Sequence, residues 1–213
     1  MARNLIWACV SVLFLCGCAQ MTAEAPLYAA ADQVRPAPLT EGVWIFIGDK
    51  CPERMARRRG HWPQDCGAMR LSRTPDGAWL ISPAEPPRAD DDGGDREPMR
   101  AIIAPATEHP STEAFAPLYV VEYAKASETA PQYAVLAPLG DLPARDVFLV
   151  IVECNEILRE GPIEGVREVR DESGENVRSC IASNQHAVRE AARRAAIENI
   201  GHVRERRVMF VRP

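Results

Sequence analysis

Met69-Arg70-Leu71-Ser72-Arg73-Thr74-Pro75-Asp76-Gly77-Ala78-Trp79-Leu80-Ile81 reads as two strands joined by a tight turn. Met69 and Leu71 alternate with Arg70 and Ser72, the period-two pattern of a half-buried strand. Thr74-Pro75-Asp76-Gly77 supplies the turn, with Pro75 pre-set for the second position of a type I turn and Gly77 at its fourth. Trp79-Leu80-Ile81 then resumes an apolar strand. A hairpin of this kind pairs its strands antiparallel, which sets the expectation for the neighbouring segments.

Working outward, Val43-Trp44-Ile45-Phe46-Ile47 is a β-branched and aromatic run, expected as a buried strand leading into Cys51. Residues 83–98, rich in Pro, Asp and Gly, read as an exposed loop. Short strands are expected at 101–104, 118–123 and 132–137. In the second of these, Tyr119, Val121 and Tyr123 share one face, with Val120 and Glu122 on the other. Val147-Phe148-Leu149-Val150-Ile151-Val152 has no polar interruption and predicts a central strand buried on both faces, ending at Cys154. Residues 155–175 read as a polar connection with turn signals, and strands follow at 177–181, bearing Cys180, and at 207–212. The one convincing helix runs from 184 to 200, capped by Ser183 or Asn184 and stopped by Gly201. Val188, Ala191, Ala192, Ala195 and Ile200 lie close to one face, an Ala-rich stripe that permits close docking on a sheet. Short strands with one late helix predict an α+β class: a mainly antiparallel β sheet or half-open barrel with one C-terminal helix packed on it.

The N-terminus carries a different signal. Arg3 precedes an apolar run over residues 5–15, too short to span a bilayer as a helix. The run ends in Leu15-Cys16-Gly17-Cys18, which resembles the lipobox of bacterial lipoproteins: Leu at −3, a small residue at −2, Gly at −1 and the Cys that receives the lipid. Cys16 is the poorer candidate, because it would place bulky Leu15 at −1. An ordinary secretory cut after Ala25 is the rival, since Ala23-Glu24-Ala25 reads as A-x-A. The resemblance implies a signal peptide over 1–17, lipid attachment at Cys18, and an outer-membrane location facing the periplasm, because Ala19 rather than Asp follows the Cys. Residues 18–38, rich in Ala and Pro, are then expected to be a tether, and 39–213 a single periplasmic domain. Membrane association comes from the acyl chains alone, without a second membrane-binding segment.

The lipobox reading also orders the cysteines. Cys9 and Cys16 leave with the leader and Cys18 becomes a thioether, so Cys51, Cys66, Cys154 and Cys180 remain. An even set in an oxidising compartment predicts two disulfides, and four Cys allow three connectivities. Cys51–Cys66 with Cys154–Cys180 is favoured, because each closes a local loop. The spacing lacks the CxxC pairs of structural zinc sites, and no metal or other cofactor is expected.

Arg3 is the leader's only charged side chain, so removing residues 1–17 takes the net charge from −5 to −6. That balance argues against nucleic acid as a partner. The candidate binding surface is the loop between Cys51 and Cys66, where Arg54, Arg57, Arg58, Arg59, His61 and Trp62 are expected to project from ends held by a disulfide. Asp90-Asp91-Asp92-Gly93-Gly94-Asp95 lacks the ligand order of a calcium loop. His61, His109, His186 and His202 are scattered, with no H-E-x-x-H or G-x-S-x-G motif among them. The expected function is non-enzymatic binding of an envelope protein, peptidoglycan or lipopolysaccharide by a lipid-anchored domain. An envelope hydrolase with a dispersed catalytic site is the second reading.

Overall fold

The computed structural model describes residues 19–48, 51–56, 62, 66–84, 97–106, 117–203 and 206–211. Its strands are β1 (Met21–Ala23), β2 (Gly42–Ile47), β3 (Met69–Arg73), β4 (Trp79–Pro83), β5 (Met99–Pro105), β6 (Tyr119–Lys125), β7 (Gln132–Pro138), β8 (Asp146–Ile151), β9 (Val166–Arg170), β10 (Val177–Ala182) and β11 (Arg207–Val211). The helices are α1 (Glu53–Ala56), α2 (Cys154–Ile157) and α3 (Gln185–Glu198).

Strands β2 to β8 form an antiparallel meander, each paired with the next. The C-terminal β11 inserts between β8 and β2, matching Val208 with both Val147 and Phe46, and so closes an eight-stranded barrel. The half-open alternative is thereby replaced by a closed one, because a strand separated from β8 by some 55 residues returns to fill the gap. Closure removes the free edges that an open sheet would present. The hairpin at the centre of the sequence argument is β3–β4, with Met69 opposite Pro83 and Arg73 opposite Trp79. Gly77 adopts φ +89°, as the turn demands, and its N–H donates to the Thr74 carbonyl at 2.9 Å.

Strand parity sorts the side chains into three apolar layers. Trp44, Leu71, Trp79, Ile103, Tyr119, Val121, Leu136, Val147 and Val208 fill the lumen. Val120, Tyr133, Val135, Phe148 and Val150 point outward from β6, β7 and β8 and pack beneath α3, through Val188, Ala191, Ala192 and Ala195. This is why 147–150 lacks a polar face: one side fills the barrel and the other meets the helix. Ile151, expected to be buried with them, is 37% exposed. On the opposite wall, Val43, Ile45, Met209 and Val211 pack against Cys51, Ala56, Trp62 and Cys66. The Asn184 side chain caps α3 by accepting from Ala187 N–H at 2.9 Å. Asn199 rather than Gly201 ends that helix, and Ile200 lies beyond it, 42% exposed.

Two further expectations need correction. Residues 155–175 are not all connection, because Val166–Arg170 forms β9 and pairs with β10; its three charged residues leave no apolar alternation to read. The larger correction concerns the tether. Ala19, Met21, Ala23, Tyr28 and Gln33 are each 6% exposed or less. β1 pairs in parallel with β10, Met21 opposite Cys180, and Cys154 N–H donates to the Ala19 carbonyl at 2.6 Å. Further on, Val34 N–H donates to Ile103 at 2.9 Å, and Leu39 bridges Ala144. Residues 19–39 are therefore a strap laid along the barrel wall. Its small side chains allow close backbone approach, and Met21 and Tyr28 anchor it in the outer core.

Candidate functional site

The lumen comes first, because closed barrels commonly hold ligands there. Its cavity is about 60 Å³, lined only by apolar side chains from all eight strands. An apolar cavity of roughly 150 Å³ is needed to take up benzene. The lumen is thus a packed core rather than a ligand chamber. It is not uniform along its axis. At the end where β3, β5 and β7 finish, called upper here, Leu39, Ala144, Trp79 and Tyr119 are all buried. At the lower end, where β2, β4, β6 and β8 finish, the inward-facing Met69, Ile81, Tyr123 and Leu149 are half-buried, and Phe46 is 40% exposed.

A second place to look for chemistry is the one buried carboxylate among the described residues, Glu122, which is 5% exposed. It points out of β6 beneath the strap. There it accepts from Leu27 N–H at 2.8 Å, from Tyr28 N–H at 3.3 Å and from the Tyr133 hydroxyl at 3.0 Å. Burial raises its pKa, and the hydrogen bonds from Leu27, Tyr133 and Tyr28 pull it back only in part. Burial likewise pushes Tyr28 up to about 12. It raises Tyr133 as well, with the Glu122 charge beside it adding to the effect. A perturbed carboxylate often marks catalysis. This one has its lone pairs engaged by two strap N–H groups and by Tyr133 of β7, so its role is to fasten residues 27–28 to the barrel.

A cleft of about 510 Å³ lies between the strap and the β9–β10 pair. Glu24, Leu27, Val166, Arg167, Ile181 and Ser183 line it. Arg167 reaches across to Glu24 at 3.1 Å, both side chains more than 60% exposed, so the pair is worth little to stability. Gly165 forms part of the floor at φ +81°, and a Cβ there would meet the Asn184 amide at 2.6 Å. The cleft is therefore built against the N-terminus of α3. Its described lining offers one acid, one base, the Ser183 hydroxyl and open backbone, groups suited to polar contacts. Sequence reasoning missed it, because Val166-Arg167-Glu168-Val169-Arg170 carries no apolar–polar alternation; the two β-branched residues, Val166 and Val169, were the available signal.

The cysteines pair as expected. Cys51–Cys66 and Cys154–Cys180 have Sγ–Sγ separations of 2.09 and 2.10 Å, closing sequence intervals of 15 and 26 residues. The first bridge holds the α1 segment against the β2–β11 wall. The second joins α2 to β10 beside β1. Cys18, Arg57, Arg58, Arg59 and His61 lie outside the described residues, as does the acidic run 90–95. Trp62 corrects the expectation of a projecting aromatic. It is 9% exposed and donates its indole N–H to the Ala56 carbonyl at 3.1 Å. It belongs to the buried cluster that also holds Ile45 and Met209. Arg54, on α1, is exposed. No family model, curated protein or solved structure matches this chain.

Proposed function

We propose that the chain is a lipid-anchored, non-enzymatic envelope protein, held by Cys18, whose β domain faces the periplasm and binds an envelope component in the Glu24–Arg167 cleft. The observation that carries the reading is the burial of β1. A secretory cut after Ala25 would remove Met21 and Ala23, which are 0% and 2% exposed, and would strip the parallel partner from β10. Cleavage before Cys18 leaves every core residue of the strap in place. Two disulfides suit an oxidising compartment and support the same address. The packed lumen and the tied-down Glu122 leave the surface, where this cleft is a concave feature with polar groups at its walls.

Metabolic labelling with a tagged fatty acid tests the anchor: label is expected on the native chain and lost in Cys18→Ser, and equal labelling of both sinks the reading. A photocrosslinker at Arg167 in intact cells tests the cleft. A discrete adduct is expected there and not from a crosslinker at Leu80 on another wall; the same adduct pattern from both positions, or none from either, removes the cleft from consideration.

A further inference from the structure

We infer that the lower end of the barrel is a bilayer-contact face, seated by Phe46, Ile151, Ile197 and Ile200 on the leaflet that carries the Cys18 anchor. The inference rests on the anchoring reading above and gives it an orientation. Six large apolar side chains stand 36% or more exposed among the described residues: Phe46, Leu80, Leu142, Ile151, Ile197 and Ile200. Single exposed apolar residues are ordinary, but their clustering is not. Four of the six fall at one end. Phe46 and Ile151 belong to strands that finish there. Ile197 and Ile200 belong to the C-terminal end of α3 and the turn after it, which return to the same place: Asn199 Nδ2 donates to Glu156 at 2.8 Å, and Leu149 N–H donates to the Arg206 carbonyl at 3.0 Å.

The chain path brings the anchor to this end. Residues 19–21 run antiparallel to 152–154, with Gln20 opposite Glu153, Met21 N–H donating to Val152 and Cys154 N–H donating to Ala19. Passing backward from Met21 to Ala19 therefore follows β8 outward past Ile151. Cys18 is the next residue, and one residue spans at most about 3.6 Å. With Ala19 pinned at 2% exposure, there is no slack to swing the barrel away from the bilayer. Three described acids of this region meet cations. Glu198 pairs with Arg159, Glu156 lies 4.0 Å from Arg206, and Glu53 lies 3.0 Å from Arg207. Such pairing lessens repulsion from anionic headgroups. Apolar residues with paired charges around them, beside a covalent lipid, suit the headgroup–acyl boundary.

The test uses the full lipidated chain reconstituted into phosphatidylethanolamine–phosphatidylglycerol vesicles. An environment-sensitive fluorophore is placed on Ile151→Cys, Ile200→Cys or, as the upper-end control, Leu142→Cys. Quenchers carried on the lipid tails are expected to dim the first two at least threefold more than the third. Equal quenching at all three sites, or none at the lower two, overturns the inference, as does energy transfer between lower-end labels that reports a second copy seated there. Fatty-acid labelling of the same preparation separates the two claims. Label present with unquenched lower-end probes defeats the contact face and leaves the anchor intact. Label absent defeats the anchor, and flotation of the unlipidated chain with the same vesicles then decides: flotation lost in Ile151→Glu/Ile200→Glu supports the face, and no flotation rejects it.

Discussion

Glu122 shows how a single side chain organises a segment that its local sequence leaves undefined. Residues 24–33 have no hydrophobic period, yet two of their N–H groups find a carboxylate 94 and 95 residues away. Because the folded-state pKa of Glu122 is raised, the folded protein holds this proton more tightly than the unfolded chain does. Stability from this group therefore falls as pH rises from the ordinary carboxylate value through the raised one, and stays at its lower level above that. Glu122→Gln removes the titration, leaves one oxygen to accept from Leu27, Tyr28 and Tyr133, and buries an amide NH₂ in place of Oε1 beside the Tyr28 N–H. The variant is expected to be less stable by about 1–3 kcal/mol. Its deficit should be largest near pH 4.5 and smaller at pH 7, because only the wild type gains on acidification. Urea unfolding at several pH values measures this, and a deficit that does not vary with pH would show that Glu122 is not the titrating group.

At the scale of elements, the sequence was most informative where one residue set the backbone and least where a distant contact did. The β3–β4 hairpin, the strand parity of 119–123 and the Asn184 cap all follow from neighbours a few residues apart, and all stand in the fold. The strap, β9 and the inward Trp62 do not, because each is fixed by a partner far along the chain: β10 and Glu122 for the strap, β10 for β9, and the β2–β11 wall for Trp62. The same distinction governs the cleft. The role of Gly165 is steric, since it lies under the amide that caps α3. Asn184→Ala should cost about 1 kcal/mol of stability through the lost cap. Gly165→Ala should cost more, because it strains a left-handed backbone and displaces the same amide. The double variant is expected to be less destabilised than the sum, as one cap cannot be lost twice. Thermal melts of the four proteins check this; strict additivity would mean that Gly165 does not act through Asn184.

For the whole molecule, the closing strand and the strap together decide what an anchor at Cys18 can do. β11 fixes the barrel as one rigid wall, and Trp44 of β2 meets Phe210 of β11 edge-on at 5.7 Å across that closure. The strap then runs from the lower end, beside Cys154, to the upper end at Leu39, without a free segment in between long enough to act as a lead. A flexible tether of twenty residues and a strap of twenty residues make opposite predictions for an inserted linker. Twelve Gly/Ser residues placed between Cys18 and Ala19 would add a mean reach of about 19 Å while leaving β1 in its sheet. If residues 19–38 were already loose, the addition would change little. With the strap in place, the insertion is expected to leave the melting temperature and membrane fractionation unchanged but to abolish the lipid quenching of a label at Ile151→Cys, because the barrel can now leave the surface. It should also make lower-end sites accessible to a soluble thiol reagent that the parent chain excludes. Unchanged quenching and unchanged reagent access after insertion would mean that orientation does not depend on a short anchor.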